Sequence, residues 1–227
     1  MLHFSRNSRV LVLAPHTDDA ELGVGGTLIK LRDLGATVSV AVFSIAEKSV
    51  PPGYPDDILA KEFSEAMRRL GIPKDHQVVF RYPVREFPQH RQSILENLIV
   101  LRETFDPTVV FLPSSQDIHQ DHQVVFNEGV RAFKTKTILG YEFPWNQLKA
   151  TSNFYVELSE REIEAKWTLL LAYQTQLGLK RGYFSRDLVF SLARLRGVQM
   201  GADFAEAFEA IRVFASCEER FSSGGRE

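Results

Sequence analysis

Short apolar runs alternate with longer helix-like segments along the first 143 residues of this 227-residue chain. The first run, at residues 10–14, is apolar at every position, which is typical of a strand buried on both faces of a sheet. The alternation predicts strands at 10–14, 37–43, 77–82, 108–112 and 137–143, and helices at 27–34, 55–70, 91–104 and 122–133. It therefore predicts a Rossmann-like, doubly wound α/β fold, with a mainly parallel sheet and helices on both faces.

The last third of the chain has a less regular pattern. It predicts an edge strand at 153–158, a helix at 160–176, an irregular loop at 178–185, and helices at 188–196 and 203–214. Because no internal repeat or low-complexity linker divides the sequence, we expect residues 1–221 to form a single α/β domain. The polar, glycine-containing residues 222–227 are expected to form a disordered tail.

The overall composition argues against several classes of partner. A formal net charge of -2 gives no electrostatic case for nucleic acid or for an anionic membrane surface, so we predict neither. The first apolar run is too short for a signal peptide or a membrane span, and the lone cysteine, Cys217, cannot form an internal disulfide. These features predict a cytoplasmic protein. The apolar C-terminal helices offer a surface through which the chain could form a homo-oligomer.

Two clusters of imidazole and carboxylate groups each follow a predicted strand, at residues 15–21 and 117–122. Their chemistry-bearing members are His16, Asp18, Asp19, Glu21, Asp117, His119, Asp121 and His122. Neutral imidazole nitrogen and carboxylate oxygen are ligands of a Zn²⁺-type ion, and further carboxylates and a histidine beside them suit proton transfer. The clusters therefore indicate a metal-dependent hydrolase.

Topology and spacing both favour a shared site for the two clusters. Ligands of open α/β sheets bind beyond the carboxyl ends of the strands, near a topological switch point, and the clusters follow the first and fourth strands. His16 and Asp19 are three residues apart, as are His119 and His122, so that a turn puts each pair on one side. Taken singly, such an aspartate would most often cap a helix, and such a histidine would most often lie on the surface. The density of both clusters at strand ends favours the functional interpretation.

The glycine-rich segment 23–26 has a rival interpretation as a phosphate-binding turn for a dinucleotide. It lacks the third glycine of the G-x-G-x-x-G pattern, because Leu28 occupies that position, and its glycines do not follow the strand directly. Asp18 and Asp19 would also repel a pyrophosphate. We expect these glycines to permit close backbone packing beneath the metal site instead. The sequence also has no G-x-S-x-G elbow, which weakens a serine-hydrolase interpretation.

The two clusters also carry a family resemblance. Residues 14–27 resemble the A-H-P-D-D-x-E-x-G-x-G-G-T signature of the PIG-L/LmbE-like zinc-dependent N-acetylglucosaminyl deacetylases, and residues 117–122 resemble the family's second motif. The likeness covers most of the chain, including the segments 194–197 and 206–209. Thr17 stands where the family usually has proline, which changes the stiffness of the loop rather than any ligand.

The resemblance implies hydrolysis of the N-acetyl or other N-acyl group of an N-acetylglucosamine-type conjugate, and it leaves the rest of this small molecule open. It implies that Zn²⁺, or Fe²⁺ or another divalent ion, is held by His16, Asp19 and His122. Asp18 would be the general base for the attacking water. His119 would stabilise the oxyanion and is a candidate proton donor to the leaving amine, and Asp121 would orient a histidine.

Several basic and aromatic residues are candidates for substrate binding. Arg81, Arg85 and Arg91 follow the third strand and could bind hydroxyl, carboxylate or phosphate groups, although solvated surface arginines are at least as common. Tyr183 and Arg186, in the irregular loop, are candidates for a lid.

Two other functions stay open: another mononuclear metal hydrolase, such as a phosphoesterase, and a non-catalytic amino-sugar-binding protein.

Overall fold

Strands alternate with helices in the computed structural model, which describes residues 4–214. The α-helices and strands, in chain order, are β1 (Arg9–Ala14), α1 (Asp19–Leu34), β2 (Thr37–Val42), α2 (Ile58–Leu70), β3 (Gln77–Val79), α3 (Arg91–Phe105), β4 (Val109–Pro113), α4 (Gln120–Ala132), β5 (Thr137–Tyr141), β6 (Phe154–Leu158), α5 (Glu160–Leu170), α6 (Gln174–Gly178), α7 (Arg186–Met200) and β7 (Phe204–Arg212). The predicted tail at 222–227 and Cys217 lie outside the described residues. No helix within residues 4–214 is long and apolar enough to cross a membrane.

The strands form one seven-stranded sheet in the order β3-β2-β1-β4-β5-β7-β6. Strands β1 to β5 pair in parallel, whereas β7 pairs antiparallel with both β5 and β6. The predicted α/β fold with a mainly parallel sheet is therefore confirmed, and so is the edge position of β6.

Helices cover both faces of this sheet. In β1, Val10 and Val12 belong to one hydrophobic core, while Leu11 and Leu13 belong to the other. The first core contains residues of α1, α2, α5 and α7, and the second contains residues of α3 and α4. Because successive side chains of a strand point to opposite faces, a run that is apolar at every position requires this two-sided burial.

The strand order reverses between β1 and β4. From β1 the chain moves outward through β2 and β3, then returns to form β4 on the other side of β1. β1 pairs with β4 from Val10 and Val109 to Val12 and Phe111, so the carboxyl ends of the two strands lie side by side. Such a reversal is the topological switch point at which α/β sheets bind ligands. The expected convergence of the two clusters follows from this pairing.

Helix α1 begins at Asp19, well before the predicted start at residue 27. The sequence pattern predicts too late a start because residues 23, 25 and 26 are glycines, and glycine disfavours helix interiors. A Cβ on Gly23 would lie 2.6 Å from Tyr141 Cδ2, and a Cβ on Gly26 would lie 2.4 Å from Leu158 Cδ1. Side chains of β5 and β6 thus approach the helix backbone directly, and the expectation of close packing at these glycines is confirmed.

The prediction of a helix at 203–214 is wrong, because this segment forms strand β7. Its alanine and glutamate residues favour a helix locally, but it pairs with β5 on one side and β6 on the other. All residues from Phe204 to Phe208 are buried, so tertiary pairing overrides local propensity. The predicted helix at 160–176 is also shorter, since it ends at Leu170 and the separate helix α6 follows.

Candidate metal centre

The turn between β1 and α1 carries the first cluster. Asp18 occupies the position that precedes the first residue of α1, and Asp19 is that first residue. The Asp19 carboxylate accepts a hydrogen bond from the backbone N–H of His16 at 2.7 Å. This bond closes the turn and brings both side chains to the carboxyl end of β1.

The second cluster has a similar arrangement after β4. His119 precedes the first residue of α4, and its Nδ1 accepts a hydrogen bond from the backbone N–H of Asp121 at 3.2 Å. The Asp117 carboxylate in turn accepts a hydrogen bond from the backbone N–H of His119 at 2.9 Å. Side-chain-to-backbone hydrogen bonds therefore fix both clusters at helix N-termini.

Three donor atoms from the two clusters form a nearly equilateral triangle. His16 Nδ1 and His122 Nε2 lie 3.3 and 3.4 Å from Asp19 Oδ2, and the two nitrogen atoms are 3.3 Å apart. Ligand atoms of a tetrahedral ion with bonds of about 2.0–2.1 Å are about 3.3–3.4 Å apart, because the edge of a tetrahedron is about 1.6 times its bond length. The triangle therefore matches one face of a zinc-type site.

A looser set of donors is formed by the histidines alone. Ring nitrogen atoms of His16, His119 and His122 all lie within 4.8 Å of one another. Asp19 fits a tetrahedral ion better than His119 does, because Asp19 Oδ2 lies at the tetrahedral spacing from the donor nitrogens of both His16 and His122. The donor set makes this a candidate metal site without specifying the ion.

The far nitrogen of each histidine in the triangle contacts a carboxylate. His16 Nε2 lies 3.0 Å from Asp121 Oδ2, and His122 Nδ1 lies 2.8 Å from Asp117 Oδ2. Asp121 is itself held by the backbone N–H of Arg85 at 2.7 Å. Carboxylates in this position orient the histidine ligands of metal sites and raise their basicity. From the sequence alone Asp117 has no predicted role, and its place in the second cluster was the only signal for it.

The carboxylates around the triangle favour bound positive charge. Burial lowers the pKa values of His16 and His122, but hydrogen bonds and charge from the surrounding aspartates outweigh it and raise them to about 9 and about 10. Burial raises the pKa of Asp19, but the two histidines outweigh it and hold that pKa far below its ordinary value. A divalent cation suits the same donors, because it replaces the protons and neutralises the carboxylates.

Asp18 and His119 lie beside the triangle without belonging to it. The Asp18 side chain makes no capping bond to α1, and burial together with the Asp19 charge raises its pKa to about 6. Burial and the nearby His122 and His16 lower the pKa of His119 to about 4. Because Nδ1 of His119 accepts a hydrogen bond, the proton of the neutral ring lies on Nε2, which can act as a donor.

A buried, uncharged network supports the turn that contains Asp18. The Tyr173 hydroxyl donates a hydrogen bond to the backbone carbonyl of Thr17 at 2.6 Å, and its oxygen lies 2.9 Å from Glu21 Oε1. Burial raises the pKa of Glu21 to about 8, so this carboxyl is mainly protonated at pH 7 and can donate to Tyr173. The network ties the first cluster to the residue that precedes α6.

A cleft of about 240 Å³ opens at the two clusters, and its lining includes the triangle, Asp18 and His119. Three aromatic rings in its lining are stacked on one another. The centroids of Phe143 and Trp145 are 5.1 Å apart at 18°, and those of Trp145 and Tyr183 are 5.0 Å apart at 13°. Arg181 also lines the cleft, and its Nη1 donates to the Tyr183 hydroxyl at 2.5 Å. The cleft therefore offers a stack of aromatic rings and one guanidinium beside the candidate metal site.

The arginines predicted from the sequence lie elsewhere and have acidic or backbone partners. The ion pairs are Arg81 with Glu47, Arg91 with Glu128, and Arg186 with Glu164. None of these arginines lines the cleft, and neither does Arg85. The cleft therefore gives no support to substrate binding by Arg85 and Arg91, which stays a prediction. Tyr183 does line the cleft. Arg181, which the sequence reasoning missed, had no signal beyond its place in the irregular loop.

Comparison with known proteins identifies the family. The sequence model of the PIG-L family, described as GlcNAc-PI de-N-acetylase, matches residues 11–133, which is more than half of the chain. This chain belongs to the PIG-L family. The match spans both clusters, from β1 to the residue after α4, so the PIG-L resemblance of the two motifs is confirmed.

Named relatives of this PIG-L protein include deacetylases. YaiS of Escherichia coli (strain K12), named an uncharacterized deacetylase, is 26% identical over 181 residues, which cover 75% of this chain and 94% of YaiS. The diacetylchitobiose deacetylase of Thermococcus kodakarensis is 28% identical over 137 residues, which cover 57% of this chain and 50% of that enzyme. The crystal structure of the conserved protein TT1542 from Thermus thermophilus has a TM-score of 0.75 at 27% identity, covering 92% of this chain and 97% of that one.

Proposed function

We propose that this PIG-L family protein is a metal-dependent N-deacetylase that hydrolyses the N-acyl amide of an N-acetylglucosamine-type conjugate. The observation that carries the proposal is the triangle of donor atoms of His16, Asp19 and His122. These atoms are 3.3 to 3.4 Å apart, and the three residues line a cleft. Deacetylases among the relatives support this type of reaction. The proposal treats residues 1–221 as one deacetylase domain.

The three residues of the triangle are the proposed metal ligands. Two imidazoles and one carboxylate suit Zn²⁺, and Fe²⁺ or another divalent ion accepts the same set. When bound, such an ion supplies Lewis acidity and makes hydroxide available at neutral pH. Asp121 would orient His16, and Asp117 would orient His122, through the contacts at their far nitrogen atoms.

Asp18 is the proposed general base. Its carboxylate lines the cleft beside the triangle and is not used to cap α1. It can accept a proton from the attacking water and return it to the leaving nitrogen. Amide and water then yield a carboxylic acid and an amine, without an outside acid.

His119 is the proposed oxyanion partner, acting as a neutral donor. The hydrogen bond from Asp121 N–H to its Nδ1, at 3.2 Å, leaves Nε2–H free to donate. A donor aimed at a developing oxyanion contributes roughly 100- to 1,000-fold to turnover. Protonation of the leaving amine by His119 would need the same Nε2 proton, so Asp18 is the better proposed donor for that step.

The substrate would lie between the triangle and the stacked rings. Trp145 stacks against both Phe143 and Tyr183, so the rings would offer the substrate apolar edges and the outer face of the stack rather than the face of Trp145. Cytoplasmic location, a homo-oligomeric state and the absence of nucleic-acid partners stay predictions.

The proposal is tested by measuring acetate release from a panel of N-acetylglucosamine conjugates with metal-loaded protein. Asp18→Asn is the matched control, because it keeps the size of the side chain and removes the base. We expect it to keep the metal and to lose at least about 100-fold in turnover. The triangle and the looser set of His16, His119 and His122 share two residues and can hold only one ion between them, so about one metal ion per chain is expected.

Failure of this test would have a clear consequence. If the metal-loaded protein binds about one ion and releases acetate from none of the conjugates, the N-deacetylase proposal is wrong. A non-catalytic amino-sugar-binding protein, or another mononuclear hydrolase such as a phosphoesterase, would then take its place.

A further inference from the structure

The cleft has an apolar wall on the β2 and β3 side of the candidate metal centre. Ala46 follows β2, Leu59 lies in α2 and Val84 follows β3, and all three line the cleft. They form a small hydrophobic cluster that is separate from both cores of the sheet, with Val50 and Ile58 packed against it. The apolar wall is therefore a small buried cluster of its own, whose members are 3–7% exposed and line the cleft.

The apolar wall is tied directly to the triangle. Arg85, the neighbour of Val84, donates its backbone N–H to Asp121 Oδ2 at 2.7 Å, and the same carboxylate oxygen lies 3.0 Å from His16 Nε2. One backbone hydrogen bond thus connects the loop of Val84 to the carboxylate that contacts His16. A substrate amide at the triangle would have the apolar wall as a neighbour.

The backbone of the apolar wall is held in an unfavourable conformation. Ala46 has a φ of 50° and Arg85 has a φ of 70°, both in the left-handed region that residues with a Cβ rarely adopt. Such strain persists only where the surrounding structure enforces it, and it is concentrated at functional sites. Two of the four non-glycine residues with a positive φ in the described part of the chain therefore border this wall of the cleft.

The apolar wall offers few partners for a hydroxyl group. Of the four lining residues on this side, only Ser49 has a polar side chain, and Ser49 is exposed to solvent. The backbone groups of Ala46 are already used, because its N–H donates to Ser44 Oγ at 3.0 Å and its carbonyl accepts from Ser49 N–H at 2.8 Å. A sugar hydroxyl placed against Ala46, Leu59 or Val84 would lose water without gaining a side-chain partner.

We infer that the apolar wall receives an apolar group of the substrate, next to the amide that is cleaved. This inference rests on the proposed function and narrows it: the preferred substrate is an N-acyl amine with an apolar group, rather than unmodified N-acetylglucosamine. That group is either an acyl chain longer than acetyl or an apolar substituent on the sugar that carries the amine. The group that contacts the wall is apolar in both cases, and the two arms of the experiment distinguish the acyl part from the amine part.

The experiment measures kcat/KM for amine release by the metal-loaded full chain. The acyl arm compares N-hexanoylglucosamine with N-acetylglucosamine, and the amine arm compares cyclohexyl N-acetyl-β-glucosaminide with N-acetylglucosamine. We expect the apolar member of one pair to be preferred by about 10-fold or more, because one buried methylene already discriminates by that factor. The preferred arm identifies the group that contacts the apolar wall.

Substitutions then test the wall itself. Val84→Thr adds a hydroxyl at nearly constant size and should reduce the preference about 10-fold. Val79→Thr is the matched control, because Val79 lies in β3, is 41% exposed and does not line the cleft, so the preference should not change. Ala46→Ser repeats the test with a smaller change in case Val84→Thr does not fold.

The possible failures are distinguishable. Amine release from N-acetylglucosamine without a preference in either arm would overturn the inference and leave the proposed function standing. A preference that survives both Val84→Thr and Ala46→Ser would also overturn it, because the apolar wall would then not be its source. No amine release from these three compounds or from any conjugate of the panel above would reject the proposed function itself, and the inference with it.

Discussion

Lys166 on α5 and Glu206 on β7 form a buried ion pair against the glycine-containing part of α1. Glu206 accepts hydrogen bonds from Lys166 Nζ at 2.7 Å and from the backbone N–H groups of Gly26 and Thr27 at 2.9 and 2.7 Å. Lys166 also donates to the Leu22 carbonyl at 2.7 Å. Since the Leu22 carbonyl and the Gly26 N–H are the groups that pair in a regular helix, the ion pair bonds to both. It therefore stabilises the helix that begins at Asp19.

Glu206→Gln keeps the shape of this side chain, removes its charge and replaces one acceptor with a donor. The side chains of Lys166 and Glu206 are only 8% and 6% exposed, so water cannot replace the lost partner. Removal of one partner from a buried pair costs about 3–5 kcal/mol of unfolding free energy. For a chain of this size, Tm falls by about 2–4 °C per kcal/mol, so a decrease of roughly 6–20 °C is expected.

Thermal and urea unfolding, followed by circular dichroism, measure this loss. Asp203→Asn is a matched control: Arg194 and Asp203 are also 2.7 Å apart, but their side chains are 55% and 87% exposed, so the loss should stay below about 1 kcal/mol. Lys166→Met combined with Glu206→Gln should recover part of the loss, because no unpaired charge remains. A loss for Glu206→Gln no larger than the control, or a double variant that equals the sum of both single variants, would refute this reasoning.

Three other changes test the candidate site and its support. Asp117→Asn should weaken metal affinity by about 10- to 100-fold in chelator competition, and unchanged affinity would argue against its positioning role. His119→Ala should keep the metal but lose about 100- to 1,000-fold in kcat, and intact turnover would exclude it as the oxyanion partner. Gly26→Ala places a Cβ 2.4 Å from Leu158 Cδ1 and should cost at least about 1–3 kcal/mol in urea unfolding, whereas Gly182→Ala, with no atom within 4 Å, should be neutral.

The sequence predicts those parts of the fold in which the local pattern strongly favours one structure. Residues 10–14 are apolar at every position and rich in β-branched residues, which favours a strand buried on both faces, and they form one. The segment 204–212 has no such pattern, because its alanine and glutamate residues suit a helix as well as a strand. Its neighbours β5 and β6 decide the outcome, and they are separated from it by tens of residues. Contacts of that range cannot be inferred from local propensity.

The composition of the candidate site was predictable, but its contacts were not. Spacing alone suggested that His119 and His122 act on one side of a turn. In the structure, the closest carboxylate partners of the triangle histidines are Asp117 for His122 and Asp121 for His16. The second of these contacts joins residues from different strand ends, so it depends on which strands are neighbours. Local sequence patterns do not determine that order.

The pairing of β1 with β4 explains how so few residues can form the triangle. Neighbouring strands lie about 4.8 Å apart, so side chains that follow two adjacent strand ends can meet without long loops. His16 and Asp19 come from the end of β1, and His122 comes from the end of β4, with each group fixed at a helix N-terminus. The spacing of 3.3 to 3.4 Å is therefore set by the sheet and the two helices rather than by flexible segments. The apolar wall and the stacked rings line the same cleft without contributing to the triangle, so substitutions there would alter the cleft without removing a proposed metal ligand.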